Sequence, residues 1–197
     1  ALGPNPHSFT ANQLTLAGGG LRAMQDQTLD HANRGILVQS EGGSLSADAG
    51  TTLTVANVIS GTGPLRITGE GNVRLAGVNT FTGRTLLTGG TLLLDGESFL
   101  GPAPASFVTD QLTFDGGTLR STMTFALDDA TRGITVAGGG GTIAPDPGTT
   151  LTLATPLTGP GVLIKQGEGT LRLAATDNRT GATRIERGVL AIAPGGT

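Results

Sequence analysis

Residues 61–94, GTGPLRITGEGNVRLAGVNTFTGRTLLTGGTLLL, decide the fold, because the same skeleton returns 98 residues later. Residues 159–192 read GPGVLIKQGEGTLRLAATDNRTGATRIERGVLAI and keep the Gly-Glu-Gly, the Arg-Leu-Ala and the Thr-Gly at the same spacing. Over the whole chain, about 43 of the 98 residue pairs at this offset are identical. A fixed period is typical of repeat proteins. It predicts a first repeat, 1–98, and a second, 99–197, which together form one continuous solenoid taken from a longer array.

Short apolar segments separated by glycine make up each repeat. Residues 52–55 (TLTV) and 72–75 (NVRL) alternate Leu or Val with Thr, Asn or Arg, which predicts strands with one buried face. The Gly-Gly and Gly-x-Gly clusters between them supply turns that need a positive φ. Residues 21–34 and 119–132 lack this clear punctuation, and for both we predict a strand followed by a turn.

The way the strands are connected favours a coil over hairpins. Two-residue Asn-Gly or Asp-Gly turns, the strongest hairpin signal, are few. Stacked rungs that pair with the rungs above and below explain the pattern better. We therefore predict an all-β fold, a single-stranded right-handed parallel β-helix (β-solenoid) with about five rungs per 98-residue repeat. An antiparallel β-sandwich or β-roll is the alternative.

Composition excludes several classes of protein. The 197 residues include 34 glycines and no Cys, Trp or Tyr, so the interior must be built from small aliphatic side chains and six Phe. Without Cys there is no disulfide, thiol nucleophile or Cys-based zinc site. The net charge of -3 argues against nucleic-acid binding. No apolar run is long enough to span a bilayer, and we expect no signal peptide in the first residues.

Metal, cofactor and phosphate sites are not predicted. The two histidines, His7 and His31, have no second His or Cys ligand and are expected in exposed turns. The glycine runs 18–20 and 138–141 lack the helix start and Lys of a phosphate-binding loop. Neither run fits the nonapeptide of calcium β-rolls. Calcium at an Asp turn stays open.

Acidic residues are the candidates for an enzyme of the polysaccharide-active kind, which needs two carboxylates about 5–9.5 Å apart. Those considered are Asp30, Asp48, Glu70, Asp128, Asp129, Asp146 and Glu168. Several lie beside Gly or Pro, where turns place solvated acids, and most are repeated at the 98-residue offset. We therefore predict no catalytic residues.

Threonine and phenylalanine give two further expectations. Thr51, Thr52 and Thr54 recur as Thr149, Thr150 and Thr152, which suggests a flat Thr-rich binding face as another alternative. Five phenylalanines are expected to be core or stacking residues, namely Phe9, Phe81, Phe107, Phe114 and Phe125. The strands 65–67 (LRI) and 163–165 (LIK) differ in alternation, so the sequence leaves open which face Arg66 and Lys165 take.

The repeated motif resembles the autotransporter-associated β-strand repeat. The resemblance rests on residues 161–173 (GVLIKQGEGTLRL), 180–181 (TG) and 188–190 (GVL), and in the first copy on 69–75 (GEGNVRL), 79–83 (NTFTG) and 89–92 (GGTL). The second copy departs from the family turn, with DNR at 177–179 in place of NTF, and the first has Ile67 where the family has the Lys seen at Lys165.

This resemblance implies a passenger scaffold without catalytic residues or cofactors. We predict a structural, elongated scaffold at the bacterial cell surface or outside the cell, a stalk or adhesin passenger. Its expected partners are neighbouring repeats of the same chain, and a host or cell-surface glycan or protein. A polysaccharide-active β-helix enzyme, or a glycan- or partner-binding module, is the alternative.

Overall fold

The computed structural model describes residues 2–194, which form 22 short strands and one short 3₁₀ helix, Glu97–Leu100. The strands are β1 Thr10–Leu16, β2 Gly20–Ala23, β3 Gln27–Leu29, β4 Arg34–Val38, β5 Gly43–Ala47, β6 Thr52–Val55, β7 Ile59–Gly61, β8 Leu65–Gly69, β9 Asn72–Leu75, β10 Thr85–Leu87, β11 Thr91–Leu94, β12 Val108–Phe114, β13 Thr118–Ser121, β14 Phe125–Leu127, β15 Arg132–Val136, β16 Gly141–Pro145, β17 Thr150–Leu153, β18 Leu157–Thr158, β19 Leu163–Lys165, β20 Thr170–Leu173, β21 Thr183–Ile185 and β22 Val189–Ile192. Within residues 2–194, no helix has the length and apolarity needed to cross a membrane.

Every strand pairing is parallel, and each strand pairs with a strand about one turn away in the chain. The sheets run in the orders β1-β4-β7, β2-β5-β8-β10-β12-β15-β18, β3-β6-β9-β11-β13-β16-β19-β21 and β14-β17-β20-β22. Each turn contributes one strand to the eight-stranded sheet, so the chain forms a β-solenoid of about eight turns. The parallel β-helix prediction is confirmed, and the antiparallel alternative is excluded. The number of turns is slightly below the expected five per repeat.

The period-2 pattern sets which side chains face the axis. On β6, Leu53 and Val55 are buried and Thr52 and Thr54 are half-buried, as the alternation predicts. Inward residues stack on their counterparts in the next turn, for example Leu45 on Ile67. These ladders join into one core of aliphatic side chains with Phe81 and Phe114, which runs along the axis through all the turns.

Two irregular segments complete the third face of the solenoid. Residues 79–82 lie over β7, because Thr80 and Thr82 donate backbone hydrogen bonds to Ile59 O and Gly61 O, at 2.8 and 2.9 Å. The 3₁₀ helix lies over this segment, since Asn79 Nδ2 donates to Phe99 O at 2.7 Å. Strand β14 packs on the opposite side of the helix, one turn further along the axis, and begins the four-stranded sheet. The three-stranded and four-stranded sheets are therefore parts of one face.

The 98-residue offset is not a whole number of turns. Strands β1, β2 and β3 match β12, β13 and β14 in sequence, yet each matched strand lies in the next sheet around the axis. The offset therefore spans four turns plus one of three faces. Matching residues in the two copies are consequently rotated by about a third of a turn.

Turn lengths vary, which is why this rotation cannot be read from the period alone. Ile67 pairs with Leu87, 20 residues further on, whereas Leu87 pairs with Phe114, 27 residues further on. The longer turn contains the 3₁₀ helix and the exposed loop before β12.

The segments 21–34 and 119–132 contain no helix. The first forms the end of β2, all of β3 and the turn into β4, and the second forms the matching parts of β13, β14 and β15. The prediction of a strand followed by a turn is confirmed, with one further short strand in each copy.

Glycine is required at one corner because successive turns touch there through their backbones. A Cβ atom on Gly83 would lie 1.9 Å from Gly63 O, and a Cβ atom on Gly63 would lie 1.6 Å from Gln39 O. The second copy repeats the contact at Gly181, where a Cβ atom would lie 2.0 Å from Gly161 O. Any larger residue would push adjacent turns apart.

We predict that Gly83→Ala destabilises the protein by about 1–3 kcal/mol or more, because the added methyl overlaps a backbone carbonyl. Gly19→Ala is the matched control, since nothing lies within 4 Å of a Cβ atom there. It should change the free energy of unfolding by less than about 0.5 kcal/mol. Urea unfolding measures both, and equal effects would contradict the steric argument.

Candidate functional site

The acidic candidates lie at turns of the solenoid, and two of them already pair with arginine at exposed corners. Asp48 Oδ1 accepts a hydrogen bond from Arg22 Nε at 2.5 Å, and Asp146 accepts two from Arg120 at 2.6 and 3.0 Å. The hydrogen bond from Arg22 holds the pKa of Asp48 below its usual range. A carboxyl group kept ionised in this way is a poor general acid. Because of the rotation between copies, Asp48 and Asp146 lie at different corners.

The other acidic candidates also serve turns or face solvent. Asp129 Oδ1 accepts hydrogen bonds from the Thr131 backbone N–H at 3.0 Å and from its hydroxyl at 2.7 Å. Asp30, Glu70, Asp128 and Glu168 are exposed. Glu70 lines an open depression with Asp48 and Arg22.

The two histidines and the two glycine runs lie at corners of the solenoid. His7 is exposed, while His31 is half-buried and its Nδ1 accepts a hydrogen bond from the Asn33 backbone N–H at 3.3 Å. Across residues 2–194, no three His, Asp or Glu side chains converge as a metal site would need. The prediction of no catalytic, cofactor-binding or metal-binding residue stays a prediction.

The proposed Thr face is divided by the rotation between copies. Thr52 and Thr54 lie on the eight-stranded sheet, but Thr150 and Thr152 lie on the four-stranded sheet. A different column forms instead on the eight-stranded sheet, where Thr91, Thr118 and Thr142 stack in register. These threonines have no common sequence offset, so the sequence offered no signal for the column.

The phenylalanine prediction is wrong for two of the five residues. Phe81 and Phe114 are fully buried and Phe125 is half-buried, but Phe9 and Phe107 are 52% and 49% exposed. The exposed pair ends the loops that precede β1 and β12, outside the stacked rungs. Each copy therefore presents one aromatic side chain to solvent, on neighbouring faces.

Lys165 takes an inward position in the core ladder, matching Ile67 in the first copy, and Arg66 and Ile164 both point outward. Lys165 stacks between Ile143 and Ile185. Its Nζ donates to the backbone oxygens of Gln166, Gly167 and Arg187 at 2.6, 2.8 and 3.0 Å. These three hydrogen bonds identify the role of Lys165, which is to cap carbonyl groups at the corners. Burial lowers the pKa of this amine, although the charge of Glu168 opposes the effect.

The most extensive polar cluster joins the two copies. Arg132 is fully buried and donates to Gly101 O at 2.9 Å, to Pro102 O at 3.2 Å and to Leu100 O at 3.4 Å. Its Nε also donates to Glu97 Oε1 at 3.1 Å. Arg132 begins β15, whereas Glu97 lies in the 3₁₀ helix one turn earlier. The cluster therefore holds the loop between the copies against the first full turn of the second copy.

The hydrogen bonds and the Arg132 charge compensate only part of the cost of burying the Glu97 carboxylate. Its Oε2 accepts a hydrogen bond from the Asp128 backbone N–H at 3.1 Å. Burial nevertheless dominates and raises the pKa of Glu97, against the opposing effects of that hydrogen bond and of the Arg132 charge. Sequence analysis missed both residues, although Arg34 and Arg132 match at the 98-residue offset.

We predict that Arg132→Met destabilises the protein by about 3–5 kcal/mol, because it leaves a half-buried carboxylate and three carbonyls without a donor. Arg120→Met breaks the exposed pair with Asp146 and should cost only about 0.2–1 kcal/mol. Urea unfolding at neutral pH compares them. Equal losses would show that the buried cluster does not hold the two copies together.

We predict that the stability advantage of the wild type over Glu97→Gln falls as pH rises. The raised pKa means that the contribution of Glu97 is fully present below its unfolded pKa and is lost as pH rises through its folded pKa. Asp48→Asn should show the opposite sign, because the pKa of Asp48 is lowered and its contribution is lost as pH falls. Urea unfolding across the acidic range measures both differences, and slopes of the same sign would contradict the assignment.

Comparison with known proteins shows which proteins this chain is similar to. The passenger-associated-transport-repeat family matches residues 65–94 and 163–192, the two stretches that share the Gly-Glu-Gly skeleton. The chain is 38% identical over 187 residues to "Adhesin BmaC autotransporter" of Brucella suis biovar 1 (strain 1330), a match that covers 90% of this chain and 5% of the relative. No solved structure matches the chain. The resemblance noted in the sequence is thus confirmed: residues 65–94 and 163–192 of this β-solenoid match the passenger-associated-transport-repeat family.

Proposed function

We propose that this chain is a structural segment of an autotransporter adhesin passenger, displayed at the bacterial cell surface or outside the cell. Its function is to form a rigid shaft, with a first repeat at 1–98 and a second at 99–197. The proposal rests on the two matched repeats and on the adhesin relative, of which the chain spans about 5%.

The observation that carries the proposal is the uninterrupted backbone pairing between the repeats. Strand β10 pairs with β12 and strand β11 pairs with β13, so the sheets continue across the boundary. Solenoid stability is approximately a sum of contributions from each turn and its neighbours, so a shaft can grow by copying. At about 4.8 Å per turn, eight turns extend roughly 40 Å.

Contact with a host glycan or protein belongs to the same proposal. Phe9 and Phe107 support it, because they are large apolar side chains that the fold leaves exposed once per repeat. The rotation between copies directs them to neighbouring faces, so a longer shaft presents them around its axis.

Catalysis is not part of the proposal. The lowered pKa of Asp48 and the separation of the matched acids favour a scaffold over a polysaccharide-active enzyme. A panel of polyuronide and glycan substrates should give no turnover. Turnover that disappears in Asp48→Asn would overturn this part.

Small-angle X-ray scattering tests the shaft. We expect an asymmetric pair-distance distribution, with a long axis set by about eight strand spacings, ~40 Å plus side chains. A spherical particle would contradict the proposal. A cell-adhesion assay with Phe9→Ala and Phe107→Ala, alone and together, tests the contact surface, and unchanged adhesion would exclude these aromatics.

A further inference from the structure

An open groove of about 500 Å³ crosses the corner at which the third face of the solenoid turns into the seven-stranded sheet. It lies in the middle of the stack, beside β8, β10 and β12, with β2 and β5 on one side of it and β15 and β18 on the other. We call it the corner groove. Six of its lining residues carry polar or apolar groups that a ligand could contact, namely Pro64, Arg66, Thr82, Arg84, Leu86 and Gln111.

The groove forms because a corner without side chains lies next to a bulge. At Gly63 and Gly83 successive turns touch through their backbones, so no side chain fills the corner. In β12, the stretch from Val108 to Leu112 faces only the shorter stretch from Arg132 to Ile134 in β15. The extra residues bulge outward. The bulge thus forms one wall of the groove through Val108 and Gln111.

Gln111 is a buried side chain with an unused acceptor. It is 4% exposed, and its Nε2 donates to Gly83 O at 3.0 Å and to Thr82 O at 3.4 Å. Because both acceptors are carbonyl groups, the amide nitrogen must face them and the amide oxygen must face away. No group within residues 2–194 donates to Gln111 Oε1. Buried polar atoms are normally hydrogen-bonded, so a ligand hydroxyl in the groove would be a suitable donor.

Two arginines give the groove a positive charge. Arg66 projects outward from β8 into solvent, and no carboxylate in the described part of the chain forms an ion pair with it. Arg84 pairs with Asp110 at 2.8 Å, so one of the two positive charges is neutralised. Arg66 therefore carries the net charge of the groove. A guanidinium group binds a carboxylate through two parallel N–H bonds.

Leu86 and Pro64 add apolar surface among these polar groups. Leu86 lies beside Arg66 in the register of the sheet, and both Leu86 and Pro64 are half-buried. The exposed Thr82 adds a hydroxyl group that can donate or accept. An apolar surface with a few polar groups that fix orientation is typical of ligand sites.

The second repeat has the same corner without these groups. The backbone contact returns at Gly181, where a Cβ atom would lie 2.0 Å from Gly161 O. At the 98-residue offset, however, Arg66 and Arg84 correspond to Ile164 and Ala182. The second corner therefore lacks the positive charge, and it serves as an internal control for binding at the first.

We propose that the corner groove binds an acidic saccharide. The sugar carboxylate pairs with Arg66, a sugar hydroxyl donates to Gln111 Oε1, and the ring lies on Leu86 and Pro64. An inorganic anion would leave Gln111 Oε1 without a donor, and a neutral sugar would leave Arg66 without a counter-charge. A ligand with both a carboxylate and hydroxyls satisfies both groups. The inference rests on the proposed contact with a glycan and names the class of glycan.

Titration of the purified chain with trigalacturonate, followed by amide NMR spectra, tests the proposal. We expect saturable binding, with shifts at the Gln111 side-chain amide and at the Arg66 and Thr82 backbone, and none at Ile164 or Ala182. The fully methyl-esterified trisaccharide keeps the rings and most hydroxyls but has no charge. It should bind about tenfold more weakly or worse, because a charge-assisted hydrogen bond is lost. Equal affinity for the ester would overturn the proposal.

Matched arginine variants separate a site from general charge attraction. Arg66→Gln changes an exposed side chain, so the circular dichroism spectrum should be unchanged, while the affinity for trigalacturonate should fall about tenfold or more. Arg172→Gln removes an exposed arginine from β20, on the four-stranded sheet, and should bind as the wild type does. Equal losses in the two variants would mean non-specific attraction and would overturn the proposal.

Two further ligands complete the test. Sialyllactose carries a carboxylate on a different sugar, and failure of both acidic saccharides to bind would overturn the proposal. Inorganic sulfate should bind more weakly than trigalacturonate, and equal affinity would show an anion site without recognition of a sugar. These titrations use free saccharides and no cells. A negative result therefore leaves the scattering test of the shaft and the adhesion test of Phe9 and Phe107 unaffected.

Discussion

Backbone hydrogen bonding between successive turns is the constraint on which the rest of the structure depends. Every strand pairing is parallel and joins adjacent turns, so each paired strand residue must lie about 4.8 Å above a residue of the preceding turn. This spacing brings like side chains into ladders, and it explains why the core is a narrow column of Leu, Ile and Val.

The corners must satisfy the same spacing with less room. At the corner formed by Gly63 and Gly83, carbonyl oxygens of one turn occupy the space where a Cβ atom of the next would lie. The high glycine content is therefore a packing requirement as well as a turn signal. Between corners, the number of residues per turn is free to vary, and the loop before β12 uses this freedom. The result is a repeat of four and one third turns, which rotates successive copies around the axis.

Polar side chains fill positions where the ladder is irregular, and the two copies do this differently. In the first copy Asn79 bonds backbone groups on both sides, and Phe81 fills the core beside it. In the second, the same positions hold Asp177 and Arg179, which form an ion pair at 2.6 Å. An amide with an aromatic ring in the first copy and an ion pair in the second copy thus occupy equivalent space. The desolvation of both charges offsets much of the attraction between Asp177 and Arg179, so the pair contributes little net stability. Its main effect is to fix the local geometry.

The sequence by itself determined the strand pattern, the 98-residue offset, the glycine corners and the parallel solenoid. Period-2 alternation and repetition can be read directly from neighbouring residues and from the repeated spacing, without knowledge of which turns are in contact. It identified no catalytic cluster, and it misplaced Phe9 and Phe107 by assigning apolar side chains to the core. Only the tertiary structure decided which residues from different turns meet. The rotation between copies, the inward path of Lys165 and the contact of Glu97 with Arg132 are set by two features. Turn lengths vary from 19 to 27 residues, and some segments complete a face without forming a strand. The 98-residue period determines neither the turn lengths nor these segments, because the register between turns is set by how the whole stack packs.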